Sequence, residues 1–141
     1  MYKDGHSNIT AVRAMAPATV TSATDTDGIV VDTLGYESCE FIVMCGTIAA
    51  GGVATFRIEE SDVNTFGGEE TVVGAVNAEE LLGSISIDAS SDDKPLRIGS
   101  AGKKRYQRLT MVTTTANSVE IENAVAILGH PENCPTAEQS S

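Results

Sequence analysis

Ala54-Thr55-Phe56-Arg57-Ile58-Glu59 decides the fold class. Ala54, Phe56 and Ile58 alternate with Thr55, Arg57 and Glu59. That period of two belongs to a strand with one buried and one wet face. The same alternation recurs outward in both directions. Ser38-Cys39-Glu40-Phe41-Ile42-Val43-Met44-Cys45 places Cys39, Phe41, Val43 and Cys45 on one face. Leu81, Gly83, Ile85 and Ile87 continue it. Further along, Val119, Ile121, Asn123, Val125 and Ile127 share a face opposite Glu120, Glu122, Ala124 and Ala126. In Arg105-Tyr106-Gln107-Arg108-Leu109-Thr110-Met111-Val112 the apolar residues crowd at one end, which puts the other end near a rim.

Turn-forming clusters separate these runs: Thr24-Asp25-Thr26-Asp27-Gly28, Ala49-Ala50-Gly51-Gly52, Asn64-Thr65-Phe66-Gly67-Gly68, Ser90-Ser91-Asp92-Asp93-Lys94-Pro95, Gly99-Ser100-Ala101-Gly102 and Thr114-Thr115-Ala116-Asn117-Ser118. Short strands rich in Val, Ile and Thr at such spacing predict an all-β domain, a single β-sandwich or jelly roll of about eight strands. Helix has room only at Val76–Leu82, as a short turn that Asn77 caps. Three regions follow: an extended N-terminal arm over 1–17, the β-sandwich over 18–130, and an exposed C-terminal tail over 131–141.

The chain has 141 residues, enough for one core without disulfide or metal support. Its apolar runs are too short for a membrane helix, and Met1–His6 lacks the apolar core of a signal peptide. Net charge is −11, aromatic content is 4% and Trp is absent. Nucleic-acid binding, which wants basic surface and stacking rings, is therefore not expected. Cys39 and Cys45 stand roughly 20 Å apart along one strand, too far for a disulfide, and read as small buried hydrophobes. Cys134 falls in the polar tail. No C-x-x-C occurs, and His6 and His130 are distant in sequence, so no metal and no cofactor are expected.

No catalytic constellation is expected. The His residues lie near the two ends, Gly-x-Ser-x-Gly is missing, and Gly99-Ser100-Ala101-Gly102-Lys103-Lys104 lacks the spacing of a phosphate loop. Acidic clusters at Glu59-Glu60-Ser61-Asp62, Glu69-Glu70 and Asp92-Asp93 match no calcium loop. Charge is nonetheless uneven. Lys94, Arg97, Lys103, Lys104, Arg105 and Arg108 hold six of the nine basic residues. Lys103, Lys104 and Arg105, where a turn meets a strand, form a candidate docking edge for an acidic partner. Asn8, Ile9 and Val12, in a strand-like stretch of the arm, form a second candidate interface by strand addition to a neighbour.

The order of segments resembles a family of small virion proteins of tailed bacteriophages. It runs from His6-Ser7-Asn8-Ile9 through Val31-Asp32-Thr33-Leu34-Gly35-Tyr36-Glu37-Ser38, Glu59-Glu60-Ser61-Asp62 and Glu79-Glu80-Leu81-Leu82-Gly83. Ile98-Gly99, Lys103-Lys104-Arg105-Tyr106-Gln107-Arg108-Leu109-Thr110 and Ala126-Ile127-Leu128-Gly129-His130-Pro131 complete it. In size, acidity and β content the chain is also similar to capsid decoration, or cement, proteins. The resemblance implies a structural protein on the outer capsid surface, synthesised in the host cytoplasm. Its partner would be the phage major capsid protein, and it would self-associate as a dimer, with a trimer as the alternative. Other readings are a head–tail joining or tail protein, and a carbohydrate-binding β-sandwich module.

Overall fold

The computed structural model describes residues 4–68, 70–74, 78–83 and 86–133. Over these the chain is a β-sandwich of two antiparallel sheets with no α-helix. Its strands are β1 (Ile9–Met15), β2 (Ala18–Val20), β3 (Thr24–Asp27), β4 (Val31–Asp32), β5 (Tyr36–Ile48), β6 (Val53–Ser61), β7 (Thr71–Val72), β8 (Leu81–Gly83), β9 (Ser86–Asp88), β10 (Pro95–Ser100), β11 (Tyr106–Thr113) and β12 (Val119–Pro131). The first sheet runs β1-β12-β5-β10-β8, with β2 also on β12. The second runs β3-β11-β6-β7, with β4 on β11 and β9 on β6. The expected helical turn is a 3-10 turn at Ala78–Glu80, and residues 75–77 lie outside the described residues.

The core lies between the sheets. Met15, Phe41, Val43, Ile98 and Ile121 enter from the first, and Phe56, Ile58, Leu109 and Met111 from the second, each no more than 1% exposed. Each such large side chain contributes about 1.5–3 kcal/mol by leaving water. The buried half of the deciding alternation holds, with Ala54, Phe56 and Ile58 buried, as are Cys39, Phe41, Val43 and Cys45; Glu59, expected on the wet face, is itself only 4% exposed. Burial, with the Glu40 carboxylate next in the chain, pushes the Cys39 thiol up to about 12, so it stays protonated at neutral pH.

Two expectations are corrected. The arm over 1–17 is not free-standing. Its residues 9–15 form β1, paired with β12 from Ile9↔Gly129 to Met15↔Ala124. Ala14 and Met15 are core residues at 0% and 1% exposure. Arg13 and Pro17 make the stretch read as polar, but a register shift between Arg13 and Met15 turns Ala14 and Met15 inward together. In β12 the single-face reading fails midway. Val119 and Ile121 are buried, but the pairing with β5 slips at Ile121/Asn123. Beyond the slip Ala124, Ala126 and Leu128 face the core, while Val125 and Ile127 are only half-buried. A bulge exchanges the two faces of a strand, and alternation alone does not reveal it.

Gly28 ties the sheets at one corner. Its N–H donates to Leu109 O at 2.8 Å, and Ile29 N–H donates to Ala14 O at 2.6 Å. A Cβ there would lie 2.4 Å from Ala14 O and 2.5 Å from Leu109 O, so only glycine fits. Of the expected tail, Pro131 ends β12 and Glu132 and Asn133 are exposed. Residues 134–141, with Cys134, lie outside the described residues.

Candidate functional site: a groove on the outer face of the first sheet

Because Cys39, Phe41, Val43 and Cys45 point inward, Ser38, Glu40, Ile42 and Met44 point outward. Strand pairing aligns these with their neighbours in rows. One row is Ile9–Gly129–Ser38, from β1 through β12 to β5. The next is Ala11–Ile127–Glu40–Gly99–Leu82, across five strands. A third is Arg13–Val125–Ile42–Arg97. Half of these positions, Ile9, Ala11, Ile127, Leu82, Val125 and Ile42, are aliphatic, more than the charged wet face that alternation suggests.

Gly129 and Gly99 leave gaps in the first two rows. Neighbours lean into them: a Cβ on Gly129 would lie 2.7 Å from Ser38 Oγ, and one on Gly99 would lie 3.1 Å from Leu82 Cβ. The gaps floor a groove of about 990 Å³. Ile9, Leu82 and Ile127 give it apolar walls, with Ile9 43% and Leu82 53% exposed. Glu37, Glu40 and Glu132 line it as carboxylates. Its one guanidinium, Arg97, is held by Glu40 at 2.6 Å.

His130 also lines the groove. Strict alternation after Leu128 and Gly129 would aim it at the core. Its φ of 50° breaks the alternation, and Nδ1 comes 3.0 Å from Ser38 Oγ. A left-handed non-glycine residue costs about 1–3 kcal/mol, a strain that functional sites often hold. No local pattern signals this pair, whose members stand 92 positions apart. Among the described residues no carboxylate bonds the other ring nitrogen, so no relay of the serine-hydrolase kind is assembled. Nor does any group of three or more His, Cys, Asp or Glu stand placed for a metal. The groove presents apolar walls, an acidic rim and hydrogen-bonding groups at one end.

The two candidate interfaces separate. Asn8 and Ile9 line the groove, and Asn8 Nδ2 donates to Asp4 O at 2.7 Å. Val12 instead packs against the core. Lys103, Lys104 and Arg105 line a smaller cleft of about 450 Å³ that shares Glu37, Ser38, Cys39, Ser100 and Glu132 with the groove. Gln107 also lines this cleft, 3% exposed, and its Oε1 has no hydrogen-bond partner.

Two cations of the basic patch, Lys103 and Arg105, are paired. Lys103 Nζ is 3.2 Å from Glu80, and Arg105 forks onto Asp32 at 2.8 and 2.7 Å. That fork holds the Asp32 carboxyl below its ordinary value. Elsewhere Arg108 and Arg57 converge on Glu59, which is 4% exposed, with Thr110 Oγ1 donating to it at 3.2 Å. Phe66 covers the Arg108 guanidinium at 4.6 Å. Four cations of the cluster of six, Arg97, Lys103, Arg105 and Arg108, thus meet carboxylates from distant parts of the chain.

No protein-family model matches the chain, and no curated protein matches it.

Proposed function

We propose that this protein is a non-catalytic structural component of a tailed-phage virion, a decoration protein that binds the outer capsid shell and stabilises contacts between major capsid subunits. The observation that carries the contact role is the half-aliphatic outer face of the first sheet with its groove. A sheet face of this kind is a surface for a macromolecule rather than for solvent. The order of sequence segments supplies the virion setting. Binding assembled shell in preference to free subunits would stabilise the shell by mass action. Self-association as a dimer, or as a trimer, belongs to the same reading, since open sheet edges favour pairing between copies.

The aromatic rings bear on the carbohydrate alternative. Tyr36 bonds Thr10 through its hydroxyl at 2.6 Å, Tyr106 lies under Arg105, and Phe66 lies over Arg108. These rings are engaged within the molecule and offer no open sugar platform.

Quantifying the protein in purified virions tests the proposal. A copy number comparable with that of the major capsid protein supports decoration. A number matching a single ring of subunits transfers the reading to a head–tail joining protein, and absence from virions overturns both.

A further inference from the structure

We infer that the groove takes an extended polypeptide segment of a partner in which basic side chains alternate with aliphatic ones. This inference rests on the contact role proposed above and names the chemistry of the partner.

Shape gives the first argument. The trough runs along neighbouring rows of paired strands, with Gly129 and Gly99 in its floor beneath the side chains of Ser38 and Leu82. Ile9, Ile127 and Leu82 flank it and suit the aliphatic side chains of an extended segment, which project every second residue.

Charge gives the second. Three carboxylates, Glu37, Glu40 and Glu132, face one guanidinium, and Glu40 already holds that one. His130 offers only a ring bonded to Ser38. The molecule as a whole carries −11, and Arg57, Arg97, Lys103, Arg105 and Arg108 are each paired with carboxylates of the same chain. An acidic segment, or the acidic surface of a second copy, would meet repulsion here. A cationic one is steered in and held by the rim. The charge of this groove is opposite to that expected of the edge at Lys103, Lys104 and Arg105, which lines the adjoining cleft.

The experiment uses the full chain, ¹⁵N-labelled, titrated at low salt with a lysine–valine alternating peptide and with its glutamate–valine and serine–valine counterparts. Amide shifts should concentrate at Ile9, Glu40, Leu82, Gly99, Ile127 and Gly129 with the lysine peptide and be far weaker with the other two. The exposed double substitution Glu37→Lys/Glu132→Lys should weaken the lysine peptide roughly tenfold or more, and high salt should erase that difference. Equal binding of all three peptides, or an unchanged affinity in the double variant, would overturn the inference. So would concentration-dependent shifts of the same amides without peptide, which would give the groove to a second copy. The virion reading fails separately: wild-type protein absent from particles refutes it whatever the peptides do. Particles that retain the double variant at wild-type occupancy refute only the groove.

Discussion

Replacing Arg108 by Met isolates what the ionic network on the second sheet contributes. Glu59 accepts from Arg57 Nε at 2.9 Å, from Arg108 through Nε at 3.0 Å and through Nη2, and from Thr110 Oγ1 at 3.2 Å. Its side chain is 5% exposed and that of Arg108 is 12% exposed. Arg108→Met therefore removes two of four donors from a carboxylate that water scarcely reaches. Stranding one member of a buried pair costs about 3–5 kcal/mol. Arg57 remains, with the single Thr110 hydroxyl proton shared between Glu59 and Asp27, which sets the expectation near the lower end, at about 3 kcal/mol including the lost cover of Phe66. That is a large share of a stability of about 5–15 kcal/mol. Urea unfolding should show a lower midpoint with an unchanged slope. The decisive comparison is the double variant Arg108→Met/Glu59→Met. With no carboxylate left stranded, it should be more stable than the sum of the single changes implies, by about 2 kcal/mol. Single changes within about 0.5 kcal/mol of wild type would refute the reasoning, and so would strict additivity, since surface ion pairs behave in those ways.

Four further outcomes are expected. Met15→Ala should cost about 2–5 kcal/mol, because Met15 is a core residue of β1; a loss below about 0.5 kcal/mol, read by the same unfolding assay, would restore the free arm. Gly28→Ala should destabilise by at least about 1–3 kcal/mol, since both obstructing atoms are backbone oxygens, and a wild-type melting temperature would contradict the corner geometry. Cys39 should resist a thiol reagent in the native state and react on unfolding; because its folded value lies above the unfolded one, the stability it contributes is intact below about pH 8.5 and is lost as pH rises toward about 12. Asp32 behaves oppositely: Arg105 lowers its folded value, so its contribution is present above about pH 4 and lost as pH falls through the lowered value, and Arg105→Ala should move its carboxyl carbon titration by NMR back toward about 3.9.

The fold class was legible because alternation is local. Ala54, Phe56 and Ile58 report their face within six positions, and the glycine-rich turns report where each strand ends. What failed needed information from elsewhere in the chain. The slip at Ile121/Asn123 depends on the register with β5, and without it Val125 and Ile127 look like core. Arg13 beside Met15 reads as an arm until β12 is known to lie against it. Lys103 and Arg105 read as unpaired until Glu80 and Asp32 arrive beside them. Ile9 was singled out for strand addition, yet it lines the groove from within its own sheet. The pair of Ser38 with His130 exists only because a left-handed residue interrupts β12.

The place of β12 also governs the order in which the molecule comes into being. It lies between β1 and β5, whereas the second sheet needs nothing beyond Thr113. A ribosome therefore delivers every strand of that second sheet before the first sheet has the strand that joins β1 to β5. Until Val119–Pro131 emerge, Ile9–Met15 wait without their partner, and one edge of β5 stands unpaired. Pairings this distant in sequence form slowly and expose strand edges meanwhile. A nascent chain halted near Asn117 should thus be a substrate for chaperones and a seed for aggregation, and release of the whole of Val119–Pro131 should end both conditions together.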